Sequence, residues 1–397
     1  MDAVRVYLDH AATAPVRPEA LAAYTGALAS RGNPSSLHAD GQSAREIVES
    51  GREAIARALG ADPVEVVLTG GGTESVNLGI QGLFRARRAA DRRRNRIVVP
   101  RAEHSATIDT VEWLAAHEGA ELRWVDVDGE GRIRTDRLAV AVDEDPGAVA
   151  LVTALWANNE VGTLQPVAEI VALAEREGIP VHLDAVAALG QTPVDFAASG
   201  AAALSVSGHK VGAPIGTGAL LVRRDATIEP ILHGGGQQRG RSGTEDPAGA
   251  AALGAALSAA VDELPGAAER MTALRERLVA EATRIPGVVL HGARSERLPG
   301  NANLGVAGAE GESLLFLLDA AGISASTGAA CRAGVAEPSH VLLAMSLDEA
   351  AARSALRISM GPETVDADVD ALLAVLPGAV ETARRAFRGA TPERTRA

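Results

Sequence analysis

Residues 205–210 read Ser-Val-Ser-Gly-His-Lys and place a lysine directly after a short apolar run. Lysine rarely enters a buried position without a partner, because an ammonium group is costly to remove from water. Partial desolvation lowers the pKa of such an amine and makes it nucleophilic toward a carbonyl. Lys210 is therefore a candidate nucleophile at the end of a strand, although a surface lysine on a turn would also fit these six residues.

Similar short apolar runs recur along the chain and alternate with segments of helical period. Residues 168–177, for example, have the apolar spacing of an amphipathic helix. Strands that alternate with helices predict an α/β fold with a mainly parallel sheet that is covered on both faces. The predicted strands lie at residues 97–100, 122–127, 149–153, 181–184, 204–207 and 219–222.

Ligands of such sheets bind at the carboxyl ends of the strands, so polar and glycine-rich segments are expected there. One of them, residues 68–75, reads Leu-Thr-Gly-Gly-Gly-Thr-Glu-Ser. Its glycines allow close approach of the backbone to an anion, and we expect Thr73 to cap the helix that follows. An ordinary glycine turn before a helix fits equally well, and no Gly-Lys-Ser/Thr follows as in a Walker loop.

Asp184 ends the strongly apolar run Val-His-Leu-Asp at residues 181–184. A buried carboxylate needs a cationic partner or strong hydrogen bonds. A protonated pyridine nitrogen would be such a partner, and its charge would make the ring an electron sink. The alternative is a strand-end cap for a loop. Near Lys210, Ser207 and His209 are placed to reach a phosphate.

The composition indicates more than one domain. The chain has 397 residues, of which 47% are hydrophobic, and this is ample for a large core. The pattern changes near residue 259, where a long helical stretch at residues 263–285 begins. We predict a large domain over residues 16–258 and a smaller α+β domain made of residues 1–15 and 259–397.

Charge and cysteine content disfavour several classes of protein. The net charge of −13 disfavours non-specific binding to nucleic acid, and we interpret the arginines at residues 92–94 and 384–396 as solvated surface. The apolar stretches are too short to span a bilayer, and residues 1–15 do not read as a secretory signal. Cys331 is the only cysteine, which excludes an internal disulfide and a cysteine-cluster metal site and favours the cytoplasm.

Taken together, these motifs resemble the cysteine desulfurases of the class V aminotransferase group, which are fold-type I enzymes dependent on pyridoxal 5′-phosphate (PLP). The resemblance extends from residue 7 to about residue 361, and it implies a mainly parallel, seven-stranded type of sheet in a large PLP-binding domain. It rests on residues 71–78 (Gly-Gly-Thr-Glu-Ser-Val-Asn-Leu), 103–104 (Glu-His), 158–162 (Asn-Asn-Glu-Val-Gly), 182–185 (His-Leu-Asp-Ala), 207–210 (Ser-Gly-His-Lys) and 241–244 (Arg-Ser-Gly-Thr).

The resemblance implies roles for individual residues. Lys210 would hold PLP as a Schiff base, Asp184 would pair with the pyridine nitrogen, and His104 would stack on the ring and shuttle protons. Arg357 and Asn33 would bind the substrate carboxylate. The other implied cofactor-binding residues are Thr73, Ser207 and His209 at the phosphate, Glu74, Asn158 at the cofactor or substrate, and Thr244, which would reach the phosphate of a neighbouring subunit in a homodimer.

Cys331 lies among glycines and alanines, which suggests an accessible loop. The neighbouring Arg332 would favour the thiolate, whereas a buried, inert cysteine is the alternative. The segment resembles the long catalytic loop, here about residues 324–338, of the subgroup that delivers sulfur directly to acceptor proteins. The resemblance implies that L-cysteine becomes L-alanine, that Cys331 carries the sulfur as a persulfide, and that an acceptor in tRNA thiolation or iron–sulfur assembly receives it.

Three positions depart from the family pattern. Ala187 stands where the family usually has a glutamine bonded to the cofactor ring oxygen, residues 234–241 are one residue short, and Pro362 replaces a frequent arginine. The gap at Ala187 leaves open a selenocysteine lyase or a pathway-specific PLP lyase or epimerase. A non-catalytic scaffold is a third alternative, against which the intact lysine, aspartate, histidine and cysteine argue.

Overall fold

The computed structural model describes residues 5–328 and 337–390, with side chains up to residue 387. Its strands are β1 (Val6–Tyr7), β2 (Val66–Thr69), β3 (Arg96–Pro100), β4 (Glu121–Val125), β5 (Val149–Leu155), β6 (Val181–Asp184), β7 (Ala203–Ser207), β8 (Gly218–Val222), β9 (Val288–His291), β10 (Asn301–Val306), β11 (Ile323–Ser324) and β12 (Ala355–Ser359). Its α-helices are α1 (Pro18–Leu28), α2 (Ala39–Ala58), α3 (Gly72–Ala90), α4 (Ser105–Glu118), α5 (Thr135–Asp143), α6 (Val167–Glu175), α7 (Phe196–Ser199), α8 (Pro247–Ala282), α9 (Gly311–Ala320), α10 (His340–Ala344), α11 (Glu349–Arg353) and α12 (Asp366–Ala390).

The large sheet has the strand order β2-β8-β7-β6-β5-β3-β4. Strand β8 runs antiparallel to both of its neighbours, and the other pairs are parallel. All seven residues of β5 are buried, because helices must cover both faces of a parallel sheet. The predicted α/β class with a mainly parallel seven-stranded sheet is confirmed.

A second core forms around the antiparallel sheet β12-β10-β9 and the short parallel pair β1–β11. Helix α8 joins the two cores, since Ala250 to Ala260 pack in the first core and Ala267 to Ala282 in the second. The predicted helix at residues 263–285 is therefore the second half of one 36-residue helix that contains Pro265. The predicted domain boundary at 258/259 falls inside this helix, and the division into domains stays a prediction.

The start of α3 differs from the expectation. Gly71, not Thr73, is the N-cap, and Thr73 lies in the first turn. Gly71 has a φ of +145°, which a residue with a side chain rarely adopts. Strand β8 also approaches closely, because a Cβ on Gly218 would lie 2.7 Å from the Cα of Gly71. The glycines thus set the entry of the helix, and Thr73 is left free to point elsewhere.

Over the described ranges, no helix is long and apolar enough to cross a membrane.

Candidate active site

A cavity of about 710 Å³ opens at the carboxyl ends of the parallel strands. Its volume lies in the usual range for small-molecule and cofactor sites. Strands β6 and β7 end in Asp184 and Ser207, and helix α3 begins beside them. The predicted site residues that line the cavity are Thr73, His104, Asp184, Ser207, His209 and Lys210.

Lys210 lies in a 3₁₀ turn directly after β7. Its Nζ donates hydrogen bonds to the carbonyl oxygens of Ala11 (2.5 Å) and Ala12 (2.9 Å). Burial, assisted by the positive charge of Arg357, lowers the pKa of Lys210 to about 8. The amine is therefore held by neutral carbonyl oxygens and loses its proton more readily than an ordinary lysine.

Lys210 is also the only lysine in the chain. All the other residues counted among its 38 lysines and arginines are arginines. Arginine stays protonated and does not form a Schiff base, whereas a desolvated lysine does. This count was an available signal that the motif-based interpretation did not use.

Asp184 is buried at the end of β6, and its Oδ1 accepts a hydrogen bond from the backbone N–H of Val186 at 2.9 Å. Burial raises the pKa of this carboxyl group, while the nearby His104 and Lys210 lower it. A cationic nitrogen placed against the carboxylate would offset the cost of burial. The site therefore suits a protonated heterocycle.

The part of the cavity beside the end of β7 suits an anion. The Oγ of Ser207 is buried and has no hydrogen-bond partner among the described residues. Gly72 begins α3 beside it, since a Cβ on Gly72 would lie 3.1 Å from the Cβ of Ser207. The first N–H groups of a helix lack partners within the helix and attract anions. Burial lowers the pKa of His209 to about 4, so its neutral ring is a further hydrogen-bond donor to a phosphate.

Three buried polar side chains form a hydrogen-bonded row beneath this end of the sheet. The Oγ1 of Thr153 and the Nδ1 of His182 are 2.9 Å apart, and the Nε2 of His182 and the Oγ of Ser205 are 2.8 Å apart. Burial lowers the pKa of His182 to about 3, so the ring is neutral. These hydrogen bonds link β5, β6 and β7 two residues before the strand ends at Asp184 and Ser207, which makes the positions of those two residues rigid. The sequence motif contained His182 but gave no sign of these partners.

Five of the predicted residues that the structure describes do not line the cavity in the single chain, namely Asn158, Glu74, Thr244, Asn33 and Arg357. The Oδ1 of Asn158 accepts from the backbone N–H groups of Glu160 and Val161, and its Nδ2 donates to Ala102 O. Glu74 forms an ion pair with Arg241 at 2.7 Å, and Thr244 lines a smaller separate cavity. Asn33 is exposed between α1 and α2.

Arg357 is buried next to the cavity and forms an ion pair with Asp9 at 2.9 Å. It also donates to the carbonyl oxygen of Asn159, which itself lines the cavity. A substrate carboxylate would share or replace Asp9 as its partner. Cys331 lies outside the described residues.

Glu103, which precedes His104, was missed as a titrating group. It is fully buried, and burial raises its pKa to about 8, so the carboxyl group is protonated at neutral pH. Its Oε1 accepts from the backbone N–H of Leu155, which joins the ends of β3 and β5. A glutamate beside a predicted ring-stacking histidine at a strand end was the only sequence signal.

Comparison with known proteins agrees with this geometry. The family described as Aminotransferase class-V matches residues 6–372. The IscS-like cysteine desulfurase of Mycobacterium tuberculosis (strain ATCC 25618 / H37Rv) is 52% identical over 96% of this chain and 97% of its own length. The cysteine desulfurase IscS of Methanosarcina thermophila is 39% identical over 96% of this chain and 93% of its own length.

A solved structure of a NifS-like protein superposes with a TM-score of 0.86 at 32% identity, and the match covers 95% of this chain and 100% of that one. The family model and these relatives extend over both cores, so the assignment does not depend on the cavity alone. The chain therefore belongs to the class-V aminotransferases and, within them, to the cysteine desulfurases.

Proposed function

We propose that this chain is a PLP-dependent cysteine desulfurase that converts L-cysteine to L-alanine and passes the sulfur to an acceptor through a persulfide on Cys331. The observation that carries the proposal is one cavity with an amine of lowered pKa, a buried carboxylate and an anion cradle. These three features match the aldehyde, the ring nitrogen and the phosphate of PLP, and an amino acid fits in the remaining volume.

The residues present fit the cofactor. Ser207, with its unpartnered hydroxyl, and the first turn of α3 would hold the phosphate, together with His209 and Thr73. Asp184 would face the ring nitrogen, and His104 would lie against the ring. Ala187 lines the cavity without a polar group, so the ring oxygen loses one neutral hydrogen bond, which costs about 0.5–1.5 kcal/mol.

The side chains of this chain divide the proton transfers between them. When bound, PLP supplies an electron sink that stabilises negative charge on the carbon skeleton of the amino acid. With a pKa of about 8, the amine of Lys210 can take the Cα proton near neutral pH. The Nδ1 of His104 accepts from the backbone N–H of Ala106 at 3.1 Å, so a neutral ring carries its proton on Nε2 and can donate it.

Sulfur transfer is the task of Cys331. Its thiolate attacks the substrate sulfur, and a sulfur–sulfur bond forms as the carbon–sulfur bond of the substrate breaks. The electron pair of the broken bond stays with carbon, which takes up a proton and leaves as alanine. The chain has no second cysteine, so an acceptor or a reductant must remove the persulfide sulfur.

The other site residues would bind the substrate, the cofactor or a second subunit. Arg357 and Asn33 would bind the substrate carboxylate, and Asn158 and Glu74 would support the cofactor. Thr244 would reach the phosphate of a second subunit, which requires a homodimer. The acceptor would serve tRNA thiolation or iron–sulfur assembly in the cytoplasm.

The activity is tested with the purified chain loaded with PLP. We expect L-cysteine to yield alanine in the presence of a thiol reductant, at turnover numbers well above those with L-selenocysteine and other amino acids in the same panel. Alanine formation only from selenocysteine would assign a selenocysteine lyase, and no product from any amino acid in a PLP-loaded protein would contradict the proposal.

The lowered pKa of Lys210 predicts how cofactor loading depends on pH. Only the neutral amine attacks the aldehyde, so the rate of PLP uptake by the apoprotein should rise through pH 8 and level off above about pH 9. An ordinary lysine has a pKa of 10.5, and its rate would still rise at pH 10. Stopped-flow absorbance of PLP binding over this range checks the prediction, and a rise that continues to pH 10 would contradict it.

A further inference from the structure

Two separate parts of the fold hold the ends of the segment that carries Cys331. On its N-terminal side, the backbone N–H of Ser326 donates to the carbonyl oxygen of Arg357 (3.1 Å), and that of Arg357 donates back to Ser326 (2.6 Å). On its C-terminal side, Val341 and Leu342 of α10 pack in the core of the large sheet. Its N-terminal end is thus bonded to the small sheet, and its C-terminal end leads into a helix packed on the large one.

Glu160 lies beside both ends. Its Oε2 accepts a hydrogen bond from the Oγ of Ser339 at 2.5 Å. A Cβ built on Gly328 would lie 3.6 Å from the Cβ and the Cγ of Glu160, so the glutamate stem lies next to the N-terminal end. Both Glu160 and Ser339 are buried, at 4% and 2% exposure, so water does not compete for this bond.

Further hydrogen bonds fix the backbone of Glu160 and the residues around it. Its backbone N–H donates to the Oδ1 of Asn158 (2.9 Å), and its carbonyl oxygen accepts from the Nδ2 of Asn303 in β10 (3.3 Å). Ser339 also caps α10 by accepting from the N–H of Leu342, and the Nε2 of His340 bonds the carbonyl oxygen of Glu103 (2.8 Å). The C-terminal end is therefore fixed to the loops that follow β3 and β5, at the same edge of the sheet as the cavity.

We propose that Glu160 is a positioning residue for sulfur transfer. It holds Ser339, at the C-terminal end of the Cys331 segment, close to Gly328 at the N-terminal end, and so sets the rate at which the thiol reaches the substrate sulfur. The inference rests on the proposed function. A carboxylate buried between the two ends of this segment is costly in free energy unless it is hydrogen bonded. In Glu160 that hydrogen bond comes from Ser339. The effect of Glu160 should be on the step that involves Cys331 and not on the binding of PLP or cysteine.

The test compares Glu160→Ala, Glu160→Gln and Ser339→Ala in the PLP-loaded protein. Two quantities are measured: the cysteine concentration that half-saturates the change in PLP absorbance, and the single-turnover rate at which intact Cys331 gains the mass of one sulfur atom. We expect Glu160→Ala to slow persulfide formation about 10- to 100-fold while the cysteine affinity changes less than about twofold. Glu160→Gln should recover most of the rate, because its amide oxygen still accepts from Ser339.

Controls separate positioning from general damage. Glu169→Ala removes a comparable carboxylate–hydroxyl pair, with Thr135 at 3.1 Å on the exposed face of α6, and should leave both quantities unchanged. Alkylation of Cys331, the only thiol, by iodoacetamide should be no slower in Glu160→Ala, which would show that the thiol keeps its reactivity. The rate loss in Glu160→Ala combined with Ser339→Ala should be smaller than the product of the two single losses, because both changes remove the same hydrogen bond.

Persulfide formation at the wild-type rate in Glu160→Ala would overturn the inference. A loss of cysteine affinity as large as the loss of rate in that variant would overturn it too. If Glu160→Ala does not fold or loses PLP, Ser339→Ala decides, and a wild-type rate in that variant overturns the inference as well. The proposed function fails in a different way, since the wild-type protein would then form neither alanine nor persulfide from cysteine.

Discussion

Replacing Cys331 by alanine is expected to abolish sulfur transfer from cysteine and to leave the bound cofactor intact. The chain has no other thiol, so no neighbouring residue can accept the substrate sulfur in its place. Loss of the nucleophile should lower the rate of alanine formation by at least about a thousandfold. Because Cys331 is not among the groups that would hold PLP, the visible absorbance of the cofactor and its change on addition of cysteine should persist.

The measurements are alanine and sulfide formation, the absorbance spectrum, and the intact mass of the protein after one turnover. Cys331→Ser serves as the matched variant, because it keeps the size and polarity of the side chain and removes only the sulfur. Both variants should lack the added mass of sulfur. Desulfuration at the wild-type rate in either of them would show that Cys331 is not the sulfur carrier.

Replacing Lys210 by alanine is expected to abolish activity by removing covalent attachment of PLP. Lys210 is the only lysine of the chain, so no second side-chain amine can substitute for it. Alanine formation should fall by at least about a thousandfold, since the variant loses both the attachment point and the proposed base. The anion cradle at Ser207 and α3 remains, so PLP should still bind, though more weakly and without the absorbance of lysine-bound PLP.

Borohydride reduction provides a direct measurement. It should fix PLP on the peptide that contains Lys210 in the wild-type protein and on no side chain of Lys210→Ala. Lys210→Arg is the matched control, because it restores a positive charge near Asp184 but cannot form the linkage. Activity in Lys210→Arg close to that of the wild type would refute the assignment, since charge alone would then be sufficient.

The strand ends of the large sheet were predictable from local sequence. The runs that end at Asp184 and Ser207 are mainly apolar, with His182 and Ser205 as exceptions, as expected for strands buried on both faces, and their bounds agree closely with β6 and β7. Helix α8 was only half predicted, because the change of pattern near residue 259 suggested a new element. The alanine-rich first half packs against α1 and α2, and this packing overrides the interruption.

The N-cap of α3 was also not predictable from local sequence. Threonine is a good N-cap, and Thr73 was the natural choice from sequence. The helix begins two residues earlier because Gly71 adopts a positive φ and lies against Gly218 of β8. A contact between segments far apart in sequence decided a local feature.

The reactive groups were identifiable from local sequence: one lysine, one cysteine, and an aspartate and a serine at the ends of buried strands. Those residues are recognisable because side-chain type and strand pattern are local properties. The hydrogen-bond partners were not, because they come from distant parts of the chain: Lys210 bonds the carbonyl oxygens of Ala11 and Ala12, Arg357 bonds Asp9, and Glu160 bonds Ser339. These pairs join residues more than 150 positions apart, so they exist only in the folded chain.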